Sequence, residues 1–324
     1  MAVISPDKTS TIPNYRQQLK KALPPEYLKP DHWNLLWFPF HFGVIGLCYW
    51  ALHAHFSYWL APIAALAIGH SFGCLGFLAH DVCHGGSVKN PIARDLLAGL
   101  GFSSLWIGPY LWRRWHNAEH HNNTQIEGLD PDHLFTMEDY QKNLILQALY
   151  ALHPLARNIV IFSSFSYRMT QQSLRMFFTY LFSPKSTNFQ RLVLIAELVV
   201  PLVAWVALSL SLGRQVLIWG YIIPVYIANA IVISYIATNH FLNPLADERD
   251  VLATSLSVTL PAGLRWLDPI HSYFGAHVAH HLFPGAPARY TRQIDAKAAE
   301  LWPDRYHEMP ITTALAMLWR TPWV

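Results

Sequence analysis

Charge is scarce in this chain. Asp, Glu, Lys and Arg make up 13% of it, whereas soluble domains carry about 25%, so a surface solvated on all sides is excluded. A net charge of +3 is too small to argue for a nucleic-acid partner. Cysteine is scarce as well. Cys48, Cys74 and Cys83 form an odd set without a CxxC pair, which argues against a disulfide framework or a cysteine-based zinc site and for reduced thiols in an apolar setting. No Gly-rich phosphate loop and no GxGxxG fingerprint occurs, which removes the common nucleotide-binding classes. The opening MAVISPDKTSTIPNYRQQLKK lacks the apolar core of a signal peptide and reads as a polar cytoplasmic head.

Apolar length fills the space that charge leaves. Residues of the hydrophobic set reach 52%, Trp numbers 13 and mean hydropathy is +0.19, the balance of a membrane protein with sizeable polar parts. Residues 35–56 and 59–79 are uncharged runs joined by the short turn SYWLAP, each about long enough to cross a hydrocarbon core. Pro39 and His41 make the first of them imperfect. Residues 192–212 and 216–238 form a second pair around Gly213 and Arg214, interrupted by Glu197 and Pro201, then by Pro224 and Asn229. Residues 93–112 contain Arg94, Asp95 and a Gly-Pro pair and read as an interfacial stretch, not a span. Residues 122–190 begin polar and become amphipathic, as expected of a segment lying on the membrane and partly covering a site.

Lys8, Arg16, Lys20, Lys21 and Lys29 crowd the head, while the first turn has no Lys or Arg and the second only Arg214. The positive-inside bias therefore puts both hairpins' ends in the cytoplasm. The expected fold is an all-α integral membrane protein, with four transmembrane helices in two hairpins and a cytoplasmic helical cap. It reads as a single domain over 1–324: head 1–32, first hairpin 35–79, cap 80–190, second hairpin 192–238, and a final cap segment 239–324.

The chain holds 18 His, and eight fall in three short stretches: HDVCH (His80, His84), HNAEHH (His116, His120, His121) and HVAHH (His277, His280, His281). Neutral imidazole is a common metal ligand near pH 7. On an α-helix residues four apart share a face, so His80 pairs with His84 and His116 with His120, while His121 turns about 100° away. Adjacent HH pairs suit two ions, one His for each. His240, in TNHFLNP, ends the fourth run at the same depth and is the ninth candidate. His41, His53, His55, His70, His133, His153, His271 and His307 stand alone and read as structural hydrogen-bonders. Eight or nine His are too many for one closed zinc site, and an all-His dinuclear site at a membrane face favours oxygen-activating iron.

HDVCH, HNAEHH and HVAHHLFP resemble the HxxxH, HxxxHH and HxxHH boxes of the integral-membrane fatty acid desaturases, over roughly residues 35–300. The resemblance implies an oxidoreductase with two non-haem Fe ions, O2 as co-substrate and two electrons from a ferredoxin or a cytochrome b-type haem protein. The substrate would be a fatty acyl lipid or acyl thioester held at the bilayer. It implies as metal ligands His80, His84, His116, His120, His121, His277, His280 and His281 box by box, and His240 by its place after the fourth run. The acyl-CoA branch carries Asn four residues before that position, where Ile236 stands here. HPGG is missing, so no fused haem domain is expected.

Asp81, Asn117, Glu119, Asp268, Asn122 and Asn123 are expected to steady the imidazoles through their second nitrogens, with capping or surface solvation as the equal alternative. Trp106, Trp112 and Trp115 are candidates for an acyl tunnel or an interfacial aromatic belt. Arg113, Arg114, Arg289 and Arg292 are candidates for docking an acidic electron carrier, or for holding the cap on anionic lipid. A carotenoid hydroxylase or ketolase of the same His-box chemistry is the runner-up, compatible with the phrase GLDPDH. A non-catalytic membrane metal-binding or transport protein is the reading from another class, disfavoured because the His lie at the ends of the runs and not at mid-membrane.

Overall fold

A computed structural model describes residues 14–54, 58–133 and 136–320. The first part of the head, the start of SYWLAP and His55 lie outside the described residues. Helix dominates. A single two-stranded parallel pair, Ser257–Thr259 with Glu308–Pro310, is the one named sheet among the described residues.

Four helices are long and apolar enough to cross a membrane: His32–His53, Ala61–His84, Asn188–Leu212 and Arg214–His240. The head contributes α1 (Tyr15–Ala22), capped by the Asn14 side chain on the Gln17 N–H. The first long helix enters through a 3-10 turn and becomes α2 (Trp37–His53). Next, α3 (Ala61–His84) ends at Gly85, whose φ of 82° suits glycine and closes the last turn directly after His84. Helix α4 (Pro91–Phe102) starts at Asn90, whose side chain caps the Ala93 N–H ahead of Pro91. Helix α5 (Pro109–Trp112) runs on through a π-helical stretch, Arg113–His120, to His121–Asn123. A 28-residue α6 (Pro154–Leu181) follows, then α7 (Asn188–Leu212) and α8 (Ile223–His240).

Pro201 and Pro224 do not break their helices. Pro201 lies inside α7, and Pro224 follows a π-helical turn, Leu217–Ile222, the wider register that accommodates a ring lacking an N–H. The third run begins at Asn188, ahead of Leu192, because Thr187 and Gln190 form a capping box there.

Helix α3 is the centre of the molecule. In its apolar window 67% of residues are buried inside the protein, against 11% in α7. It packs against α2, α4 and α8, and α8 in turn packs against α6. Small residues permit the close crossings. Gly101 of α4 sits so near α3 that a Cβ there would meet the Leu75 carbonyl oxygen at 2.6 Å. Helix α7 turns Val199, Val200, Val203, Leu208 and Leu210 outward, the pattern of a lipid-facing surface.

The last segment folds over the helix ends as α9 (His277–Leu282), α10 (Thr291–Leu301) and α11 (Ile311–Arg320). Tyr15 and Leu19 of α1 join Val278, Leu282, Ile294 and Ala298 in a small second core. The described part of the head is therefore packed against the final segment.

Candidate metal centre

The C-terminal ends of α3 and α8 carry His80, His84 and His240 to one place. The π-helical stretch brings His116, His120 and His121, and α9 brings His277, His280 and His281. All nine rings meet. His80 Nε2 lies 3.1 Å from His116 Nε2, His116 Nε2 lies 3.0 Å from His121 Nε2, and His121 Nε2 lies 3.0 Å from His280 Nε2. With His84 they form one group of five. In the second group His240 Nε2 lies 2.7 Å from His277 Nε2, which lies 3.1 Å from His281 Nε2. His120 completes it beside His240 and His281.

His116 stacks on His120, ring centres 5.0 Å apart, and groups with it and Asp132. Its Nε2 nevertheless meets His121. The reason is the backbone register. The His121 N–H bonds the His116 carbonyl five residues back, so a π-helical turn stacks residues five apart. His120 then points to the other group. In α9, ordinary helical turning sends the adjacent His280 and His281 to different groups.

Burial first, and the neighbouring imidazoles second, hold His116, His121, His277, His280 and His281 well below the ordinary imidazole value. They stay neutral near pH 7, with a lone pair to offer. His120 differs. Burial opposes its charge, yet Asp130 raises its value by proximity and by a hydrogen bond from Nδ1 to Oδ1 of 2.9 Å. Asp130 also accepts the Gln125 N–H at 2.8 Å and the Asp132 N–H at 2.9 Å. Asp132 in turn accepts Trp115 Nε1–H at 2.8 Å and is pushed up to about 6 by burial, against the pull of His120. Gln125 donates to the His240 carbonyl at 2.8 Å. Thr124 Oγ1 donates to the His120 carbonyl and lies 3.3 Å from His281 Nδ1. Residues 124–132 thus form a folded strap that fixes members of the second group.

Among the described residues, none of the six polar residues expected to support the imidazoles makes a hydrogen bond to a ring. Asp81 accepts from Ser87 and Asn34. Asn122 and Asn123 bond back to the carbonyls of Ala118 and Glu119. Asp268 pairs with Arg292 at 3.3 Å, and Asn117 Oδ1 is buried without a partner. The carboxylate that does the work comes from GLDPDH, whose two aspartates are the sequence signal for it.

A cavity of about 190 Å³ opens against His116, His120, His240 and His277, walled by Trp112, Trp115, Met169, Ile233, Ile236 and Phe274. Arg168, Gln172, Arg175, Ile233 and Phe241 are shared with a neighbouring cavity of about 610 Å³ along α6. Trp112 and Trp115 therefore line the space beside the rings. Trp106 does not; its Nε1 donates to Tyr221 Oη at 3.0 Å. The four candidate docking arginines all have partners within the chain: Arg113 with Asp95, Arg289 with Asp31, Arg292 with Asp268 and Glu308, and Arg114 over the Tyr180 ring. Of the solitary His, His53 bonds the Leu212 carbonyl and His153 caps Leu155, whereas His70 and His271 gather with Cys74 and His41 lies beside His70.

The set fits two borderline transition-metal ions. Its donors are all imidazole nitrogens, and His84 Nε2 is buried with no partner among the described residues.

Comparison with known proteins gives a consistent result. The family model "Fatty acid desaturase" matches residues 57–313. The sn-1 acyl-lipid omega-3 desaturase (ferredoxin) of Synechocystis sp. is 25% identical, over 95% of this chain and 87% of its own length. A chloroplastic omega-3 fatty acid desaturase of Sesamum indicum is 23% identical over 83% of this chain and 62% of its own length, so this chain spans under two thirds of that relative. The sn-1 acyl-lipid omega-3 desaturase (ferredoxin) of Nostoc sp. is 25% identical over 87% of this chain and 79% of its own length.

Proposed function

The chain belongs to the fatty acid desaturase family, and from that premise we propose that it is an O2-dependent, di-iron acyl-lipid desaturase fed by a ferredoxin-type carrier. One observation carries the reading: nine imidazoles, six of them buried, gather at one place and sort by their Nε2 contacts into groups of five and four beside a cavity with one apolar wall. The overall change is removal of one hydrogen from each of two adjacent acyl carbons. O2, two electrons and two protons are consumed and two waters are formed. Two iron ions, one held by His80, His84, His116, His121 and His280 and the other by His120, His240, His277 and His281, would supply the redox chemistry that such unactivated carbons require.

The chain's own residues do the rest. Ile233, Ile236, Met169 and Phe274 give an acyl chain an apolar wall next to the rings, and the adjoining cavity along α6 provides the length that a long chain needs. Trp112 stacks on His116 with ring centres 4.3 Å apart, which excludes water from that side. Asp130 fixes the tautomer of His120, so that Nδ1–H donates to the carboxylate and Nε2 faces inward. The lipid-linked substrate and the ferredoxin donor rest on the names of the relatives. The cap and the His groups are assigned to the cytoplasmic side by the positive-inside argument, and the whole of 1–324 is assigned to one domain.

The relatives' names favour an acyl over a carotenoid substrate, and the aspartates of GLDPDH hold His120 and Trp115. The test is the fatty-acid methyl ester profile of a host expressing the chain with a competent ferredoxin system, paired with iron analysis. New double bonds and about two iron per chain are expected. His280→Ala should abolish the product while membrane insertion persists. A normal fatty-acid profile alongside oxygenated carotenoids would overturn the substrate assignment, and zinc in place of iron would overturn the enzyme.

A further inference from the structure

A second group of metal-binding side chains lies outside the nine-His centre. His70 and Cys74 are four residues apart on α3 and share one face. His271 reaches them from the loop before α9. Its Nε2 lies 2.9 Å from His70 Nε2, and Cys74 Sγ lies 3.7 Å from the same nitrogen. Candidate ligand atoms of the three residues all lie within 4.8 Å of one another. Cys74 and His271 are buried.

The group is separate from the first. Phe77 and Phe274 stack at 4.4 Å between them, Phe77 against His271 and Phe274 against His80.

Two further observations point to a ligand. His41 of α2 is fully buried, its ring centre is 6.4 Å from that of His70, and neither of its nitrogens has a partner among the described residues. A buried polar group of that kind calls for an explanation such as a water or an ion. His271 is also held from behind, its Nδ1 2.8 Å from Tyr235 Oη. That is the arrangement by which a ligand imidazole is oriented through its second nitrogen.

The spacing suits a tetrahedral ion. Metal–nitrogen bonds of about 2.0–2.1 Å and metal–sulfur bonds of about 2.3 Å put ligand atoms roughly 3.3–3.6 Å apart. The facing ring nitrogens here resemble those of the nine-His centre, where neighbouring Nε2 atoms stand 2.7 to 3.1 Å apart.

We propose that His70, Cys74 and His271, with His41 as the fourth ligand, form a second metal site for a d10 ion, Zn²⁺ or Cu⁺, that fastens the loop carrying box three to α3. Thiolate and imidazole are the donors those two ions prefer. Cys74 binds as the thiolate and releases its proton to solvent on metal uptake. The Nδ1–H of His271 donates to Tyr235 Oη, leaving Nε2 for the ion. The site clips the chain just before His277 to the helix that bears His80 and His84, so its role is structural and its ion is not redox-cycled.

The experiment is metal analysis of the full chain purified in detergent, after anaerobic incubation with Zn²⁺ or Cu⁺ and removal of loose metal. About one zinc or copper per chain beyond the iron is expected, and the arm that fills identifies the ion. Cys74→Ser should lower that metal at least tenfold with the iron unchanged, and Cys74→Ala and His271→Gln should do the same. If a variant folds poorly, Co²⁺ loading of the unmodified chain provides a second readout: a thiolate-to-cobalt charge-transfer band supports the site. Iron alone after both incubations, an unchanged zinc or copper content in Cys74→Ser, or cobalt bound without that band would overturn the proposal. The last outcomes leave two neutral imidazoles sharing one hydrogen bond.

Discussion

Replacing Asp130 by Asn separates the two metal groups more cleanly than removing any histidine. The side chain keeps its shape but loses its charge and one acceptor. Asp130 accepts from His120 Nδ1–H, the Gln125 N–H and the Asp132 N–H, so its amide must turn an NH2 toward at least one donor. Loss of a carboxylate behind a metal-bound imidazole lowers metal affinity about 10–100-fold, which is roughly 1.4–2.7 kcal/mol. Among the nine histidines Asp130 hydrogen-bonds only His120, and the proposed assignment places His120 with His240, His277 and His281. Titrating the purified protein with a calibrated iron chelator should therefore show one iron leaving about 10–100-fold more readily, with the other unchanged. Asp130→Ala, which leaves buried donors unpaired, should release that iron more readily still. Two irons lost in parallel, or neither, would refute the assignment of His120 to a group apart from His116.

Three other outcomes follow from the packing and the charges. Burial pushes Asp295 up to about 7 from an ordinary 3.8, so the native state holds a proton that the unfolded chain gives up between those values. Stability therefore falls as pH rises from about 4 to 7, and Asp295→Asn should flatten that decline in thermal melts in detergent. An unchanged slope would count against the assignment. Gly101→Ala pushes a Cβ to 2.8 Å from the Ala79 Cβ as well as against the Leu75 carbonyl; it should cost about 1–3 kcal/mol and lower the melting temperature. Gly43→Ala, with nothing within 4 Å, is the neutral control. Ile233→Trp fills the junction of the two cavities and should reduce acyl conversion at least tenfold with iron content intact; full activity would show that the acyl chain takes another path.

The four long helices were legible because uncharged length is a one-dimensional property, and His240 was legible because it stands where such a run ends. Capping shifted the boundaries, since Thr187 and Gln190 act through a side-chain geometry that hydropathy does not register. The nine histidines were legible as clusters, but their division was not. It depends on a backbone register that HNAEHH does not announce. The carboxylate behind His120 was hidden for a similar reason. Asp81, Glu119 and Asn122 are near the boxes in sequence, while Asp130 reaches His120 only because residues 124–132 fold back, through a left-handed Gln125 with φ of 59°. His70 and His271 looked solitary because 201 residues separate them.

The π-helical turn from Arg113 to His120 has a consequence for how the second box tolerates change. An α-helix is turned into a π-helix locally by one extra residue, so the box behaves as a stretch with a residue to spare. Deleting Asn117 or Ala118 would let the segment return to ordinary helical winding, with His116 and His121 four residues apart and still on one face. His116, His120 and His121 would all survive such a deletion and keep the bearing by which they meet their partners. What this stretch must conserve is the face that His116 and His121 share, and the wider turn lets it hold one residue more than an α-helix needs.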